Sequence, residues 1–566
     1  MNKFIKFKIA LLGKTKYNQG REKYDKECIK EIMGAEKREE SVQPYYHAII
    51  ISKRKEGEKM IVKILPDEYW WGGIVHEGIR MPLGKEDSAV LDFRDRETPN
   101  QVMPLLLSSK GRYLWCEKPF TAVFEEGIIR TDVEAEPGEG YENLRGAYLA
   151  AMRAHFPFTG EEVEPLFFSK PQYNTWIELM YDQTQEGILH YAEGILEHGM
   201  PAGILMIDEG WAEDYGRFSF RAGAFPDPKG MMERLHQMGF RLMLWITPYI
   251  SPDSAAFRKL EPKGYLLKDA AGETAVRRWW NGLSAVLDLT NPDCAAWFEE
   301  KLRGLMEEYG VDGFKFDGGD PYMYRDDDRS FRPSSAWDQV RTYGLFGKRF
   351  AFNELRAGWK LGGQPLVMRL ADKLHSWDRD GLNMLLPNSL AQSLSGYAFH
   401  CPDMIGGGEY RSFQENASHL DRELVVRYAQ AAALCPMMQF SAAPWRILDK
   451  EQFEIVRQAA LLHESFGPYI AGLAKEAAHT GEPILRHMAY EFPGQGMERV
   501  SDQFMLGSDI LAAPVLKKGE RSRLVNLPEG IWEDEAGTLW EGGRTVSVDA
   551  PLERLVWFRK KEGGTP

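Results

Sequence analysis

The 566-residue chain predicts an α/β protein centred on a (β/α)8 barrel, with an N-terminal β-sandwich and one or more C-terminal β-domains. Three observations predict it. Short apolar runs alternate with helical patterns between about residues 166 and 480. Segments rich in β-branched residues and turns flank that stretch on both sides. Several of the central runs end in charged residues, as strands do at the face of a barrel that carries sites. A doubly wound sheet also fits the alternation, although no glycine-rich phosphate loop follows any run.

Residues 1–165 read as the N-terminal β-sandwich. The runs at 45–51 and 59–64 are short and β-branched, and a charged turn at 53–58 separates them. At the chain start, Lys3, Lys6 and Lys8 interrupt the apolar residues, which reads as strand rather than signal peptide. Within 166–480 the strand candidates are 176–181, 203–207, 241–247, 313–316, 365–370, 397–399 and 436–440. Helices lie between several of them. Asp227 is placed to cap one, with Pro228 at its first position and Met231, Leu235 and Met238 on its apolar face. Another spans 293–309, carries Trp297, Leu302 and Met306, and is ended by Gly310. Residues 481–566 return to β, with strands at 503–506 and 510–515 and turn-rich connections at 527–532 and 539–543.

A net charge of −14 repels phosphate backbones and anionic lipid, so neither nucleic acid nor a membrane surface is expected as partner. No apolar run approaches a membrane span. The five cysteines are scattered and lack CxxC spacing, which argues against a disulfide framework or zinc site and points to a reducing, cytoplasmic compartment. A homo-oligomer stays open.

The run 203–207 ends in Asp208-Glu209, and 313–316 ends in Asp317-Gly318-Gly319-Asp320. The run 365–370 ends in Arg369, followed by Asp372, and Asp403 follows 397–399. On a barrel these ends share one face. Carboxylates gathered in a cleft suit glycoside hydrolysis, where one is acid and the other nucleophile or base. They also suit metal binding, but no histidine is paired with them and Lys315 adds a positive charge that disfavours a cation. Each residue has a structural reading as well. An aspartate after a strand forms caps and turns, Asp403 would order the loop 406–408, and Lys315 would pair inside the barrel. Trp245, Trp280 and Trp377 pack either against sugar faces or in the core.

The ordered series Asp208-Glu209-Gly210-Trp211, Gly313-Phe314-Lys315-Phe316-Asp317, Pro402-Asp403-Met404-Ile405-Gly406-Gly407 and Pro483-Ile484-Leu485-Arg486 resembles glycoside hydrolase family 31. The resemblance implies retaining, exo-acting hydrolysis of an α-linked oligosaccharide or glycoside, with no metal or cofactor and with Asp317 as nucleophile. The Trp-x-Gly-Asp segment of most members is absent. Arg369-Leu370-Ala371-Asp372 stands there instead and resembles an animal branch whose acid/base is an aspartate three residues after the arginine. That implies Asp372, with Asp378 and Asp380 as competitors. Asp208, Lys315, Arg369 and Asp403, with Trp245, Trp280 and Trp377, are the candidate substrate-binding residues. Two departures from the α-glucosidase form point toward α-galactosidase: Lys315-Phe316-Asp317-Gly318-Gly319-Asp320 at the nucleophile, and Gln439-Phe440-Ser441 where α-glucosidases carry Arg-Asn-His. An α-glucosidase or α-xylosidase, a metal-dependent lyase and a non-catalytic sugar binder are the alternatives.

Overall fold

Eight parallel strands form the central sheet of the computed structural model, which describes residues 59–378 and 380–561. In chain order they are β1 (Gln172–Asn174), β2 (Ile204–Ile207), β3 (Arg241–Ile246) and β4 (Gly313–Phe316), then β5 (Phe352–Leu355), β6 (Met368–Arg369), β7 (His400–Cys401) and β8 (Gln439–Phe440). Neighbours pair in the order β7-β6-β5-β4-β3-β2-β1-β8. The Ile405 N–H donates to the Gln439 carbonyl at 2.9 Å, which ties the segment after β7 to β8 and closes the ring. This is the predicted (β/α)8 barrel. Helices cover the outside and side chains fill the inside, so a strand such as Ile204-Leu205-Met206-Ile207 is apolar at every position and wholly buried.

The helix signals hold. Asp227 caps Pro228–Gln237 by accepting from the Gly230 N–H, and Asn291 caps Pro292–Tyr309, which stops at Gly310 with φ +78°. Two strand expectations need correction, and one strand is missing from the sequence reading. The run 176–181 is not a strand: Trp176–Leu179 is a short helix, and β1 lies just before it. β1 reads poorly because Gln172 and Asn174 are polar, yet both are buried. The predicted strand at 397–399 lies at His400–Cys401. β5 is absent from the sequence reading because Asn353 and Glu354 break its apolar run. Both are buried, and the Glu354 carboxylate accepts from the Gln439 amide at 2.9 Å.

The run at 45–51 and the chain start lie outside the described residues. Within them, Met60–Lys63, Ile128–Thr131, Thr121–Glu125 and Ala89–Asp92 make a four-stranded N-terminal sheet. A second sheet is built on Gln101–Ser108 and recruits Gly358–Trp359 from just beyond β5. That pairing brings Gln101 to the barrel, where its amide donates to the carbonyls of Arg356 and Arg369. At the C-terminal end, the stretches expected to be turn-rich connections carry strands. Ile531–Asp534 and Leu539–Glu541 belong to a six-stranded sheet, and Ser522–Leu527 pairs with Arg544–Asp549. Among the described residues no helix is long and apolar enough to cross a membrane, and the described cysteines Cys116, Cys294, Cys401 and Cys435 are buried free thiols.

Candidate active site

The C-terminal ends of β2, β3, β4 and β5 open on a cleft of about 490 Å³, lined among others by Asp208, Glu209, Trp245, Trp280, Lys315, Asp317, Asp320, Arg356 and Asp372. Pro99 and its neighbours from the N-terminal segment complete one wall. The two residues after Asp317, at the end of β4, explain how it is aimed. Gly318 and Gly319 both adopt left-handed φ, +69° and +66°. A Cβ on Gly319 would lie 2.3 Å from Tyr343 Cδ1. Tyr343 in turn donates its hydroxyl to the Asp317 carbonyl at 3.0 Å. Gly319→Ala is therefore expected to destabilise the fold by about 1–3 kcal/mol, from the φ penalty and the clash together. Urea unfolding checks this.

Asp317 is 8% exposed. Its Oδ1 accepts from the Gly318 N–H at 2.8 Å and from Arg356 Nε at 3.1 Å, and its Oδ2 accepts from Trp245 Nε1 at 3.0 Å. Burial pushes the carboxyl pKa up, but Arg356, Lys315, Arg369 and the Trp245 N–H outweigh it and hold the group well below the usual carboxylate range. Asp317 is thus ionised at neutral pH. Arg356 also forks onto Asp320, with both nitrogen–oxygen distances 2.9 Å. Lys315 Nζ donates to Asp208 Oδ2 at 2.7 Å, and both are buried. Burial lowers the Lys315 pKa, yet Asp208 wins and raises it overall. The structural reading of Lys315 as a pairing residue inside the barrel is therefore realised at the cleft floor.

Arg369 NH1 donates at 2.8 Å to Asp372 Oδ1 and at 2.8 Å to Asp403 Oδ1. The Asp372 side chain keeps 38% of its surface exposed, at the cleft. Asp317 and Asp372 thus face one cleft from strands far apart in the chain. The first is sealed among cations and the second is open to solvent.

The model of the Glycosyl hydrolases family 31 TIM-barrel domain matches residues 167–473, and that of the Glycosyl hydrolase family 31 C-terminal domain matches 481–563. The chain belongs to glycosyl hydrolase family 31. A myogenesis-regulating glycosidase of Mus musculus is 35% identical over 403 residues, covering 69% of this chain and 56% of that protein. The α-xylosidase XylQ of Lactiplantibacillus pentosus is 25% identical over 473 residues, covering 78% and 60%. The chain therefore spans less than two thirds of either relative. The solved Flavobacterium johnsoniae GH31 dextranase in complex with glucose superposes with a TM-score of 0.75 at 21% identity, over 90% of this chain and 68% of that one, so the two share a fold.

The family member's cleft gathers Asp208, Trp245, Trp280, Lys315, Asp317 and Asp372 from the sequence-derived set. Three others lie elsewhere. Arg369 is buried behind Asp372 and reaches the cleft only through it. Asp403 is fully buried, where it accepts from Arg369, from the Lys373 N–H at 2.6 Å and from the Gly408 N–H at 2.8 Å. It orders the glycine-rich loop and does not line the cleft. Trp377 donates its indole N–H to Asp421 at 2.8 Å in a separate depression. Asp378 is exposed and Asp380 faces His76 at 4.0 Å, and neither lines the cleft. Arg356 is the main residue that sequence reasoning missed. It follows a strand whose polar residues hid it, and nothing local marks it as the partner of Asp317.

Proposed function

We propose that this protein is a retaining, exo-acting α-glycoside hydrolase working by double displacement, with Asp317 as nucleophile and Asp372 as acid/base. One observation carries the reading: two carboxylates from separate strands meet at one cleft, Asp317 sealed among cations and Asp372 open to solvent, the pair that retaining hydrolysis uses. Asp317 attacks the anomeric carbon while the glycosidic bond breaks, and Asp372 gives its proton to the leaving oxygen. Water then attacks the glycosyl-aspartate, Asp372 takes the water's proton, and the carbon–Asp317 bond breaks. Trp245 and Arg356 hold the nucleophile's two oxygens before and after attack. The Asp208–Lys315 pair at the cleft floor supplies a charged acceptor and a charged donor for the far hydroxyls of the terminal sugar.

Galactose is the proposed sugar. In support, Gln439 spends its amide on Glu354 and Gln172, and Ser441 Oγ accepts from the Ile177 N–H, so neither takes the hydroxyl-binding part of an α-glucosidase histidine. The test is a panel of nitrophenyl α-galactoside, α-glucoside and α-xyloside. Release from the galactoside is expected. Release only from another member would overturn the sugar, and release from none would overturn the class.

The acid/base assignment has its own expected result. Asp372→Ala should lower turnover by about 10²–10⁴-fold for an alkyl aglycone, which needs protonation to leave. The loss should be far smaller for a dinitrophenyl aglycone, whose departure needs no proton. Steady-state kinetics with the two leaving groups check it, and equal losses would remove Asp372 from the role.

A further inference from the structure

Glu209 stands next to Asp208 at the end of β2 but has different partners. Its carboxylate is 3% exposed and accepts from the Tyr215 hydroxyl, from Asn281 Nδ2 and, at 3.3 Å, from Trp280 Nε1. Asn281 also donates to the Tyr215 oxygen at 2.7 Å and accepts from the Tyr181 hydroxyl at 3.1 Å. Trp280 and Asn281 are the two-residue tip between the antiparallel strands Val276–Trp279 and Gly282–Val286. At its base Gly282–Val286 also pairs with Tyr249–Ile250, so the hairpin is three-stranded there and only two-stranded toward the tip, where it has little stability of its own. Its outer residues Val276 and Leu283 are exposed, so the position of the tip depends on what the tip touches. On one side Trp279 packs edge-on against Tyr215 and Tyr249. On the other, both tip residues converge on the one Glu209 carboxylate.

The consequence reaches the reacting centre. Trp280 lines the cleft with 40% of its surface exposed, and the Arg356 guanidinium lies over its ring at 5.6 Å. Arg356 is the group that grips Asp317. We propose that Glu209 is a positioning residue, a latch that holds the Trp280–Asn281 tip over the cleft and so presents Trp280 as the platform for the sugar ring. Two of its three donors, Trp280 and Asn281, come from the tip, so the carboxylate fixes the tip in place. The kinetic part of this inference rests on the glycosidase reading above, and the latch itself does not.

Two variants test it: Glu209→Gln, which puts an amide donor against the existing donors, and Asn281→Ala, which leaves the carboxylate and removes the tip's donor. On the glycoside that the wild type hydrolyses, each is expected to raise KM about tenfold with kcat within about twofold, because the lost bonds position substrate without entering the chemistry. The KM rise should vanish when either change is made in a Trp280→Ala background, since the platform is then already gone. Hydrogen exchange at residues 276–286 should quicken in both variants while the barrel strands stay protected. A kcat loss at unchanged KM, a KM rise that persists without Trp280, or unchanged exchange at the tip would overturn the proposal. If the wild type hydrolyses no α-glycoside, the glycosidase reading falls, and the exchange measurement alone decides the latch.

Discussion

Asp317→Gly is expected to reduce kcat by about 10⁴-fold or more on every glycoside that the protein accepts, because the proposed covalent intermediate forms on Asp317. The nearest carboxylates are committed: Asp208 to Lys315 and Asp320 to the Arg356 fork. The glycine leaves a space beside Trp245 Nε1 and Arg356 Nε, two donors that then face an unfilled acceptor position. Added azide should enter that space and restore turnover of an activated glycoside. The product should be the β-glycosyl azide, because the anion attacks from the face the carboxylate has vacated. Product analysis by NMR checks this. An α-glycosyl product, or full activity in the variant, would remove Asp317 from the nucleophile position.

Arg356→Met is expected to have the second largest effect, on stability and chemistry together. Arg356 is the shared counter-charge of Asp317 and Asp320, both buried. Removing one partner of a buried ion pair leaves the other uncompensated, at a cost of about 3–5 kcal/mol. The sign with pH follows from Asp317, whose pKa lies below its ordinary value in the fold. Its ionisation stabilises the wild type above the unfolded carboxylate pKa of about 4, and that contribution is lost only as pH falls further, through the depressed folded value. Without Arg356 the depression shrinks. The variant's stability deficit should therefore be largest at neutral pH and smaller in acid, and the acidic limb of kcat/KM should move to higher pH. Urea unfolding at several pH values and a pH–rate profile check the two parts. Arg356→Lys should recover little, because an ammonium group cannot make the fork that spans both carboxylates.

How much of this was legible in the chain varies by residue. β4 and Asp317 read directly, since Gly313-Phe314-Lys315-Phe316 is a buried run with turn-forming glycines after it. The caps at Asp227 and Asn291 are local chemistry, set by side chains that reach their own helix's first N–H groups. β1 and β5 were harder, because the inside of a barrel buries polar residues that pair with one another across strands. The Gln439 amide donates to both Gln172 and Glu354 there, and each of the three alone looks like a residue for the surface. β5 was missed for that reason, and Arg356 with it.

By itself the sequence determined that strand and helix segments alternate, where β2 and β4 stop, and that Asp208 and Asp317 stand at those stops. These properties depend on residues within a few positions of one another. Tertiary structure alone decided which charges meet. Closing the barrel sets Lys315 on Asp208 and Arg356 between Asp317 and Asp320. It also buries Asp403 under Arg369 and turns Trp377 away toward Asp421. Pairing of charges 34 to 107 residues apart leaves no periodic trace in a chain, because Coulomb attraction acts through space and is fixed only when the backbone has closed.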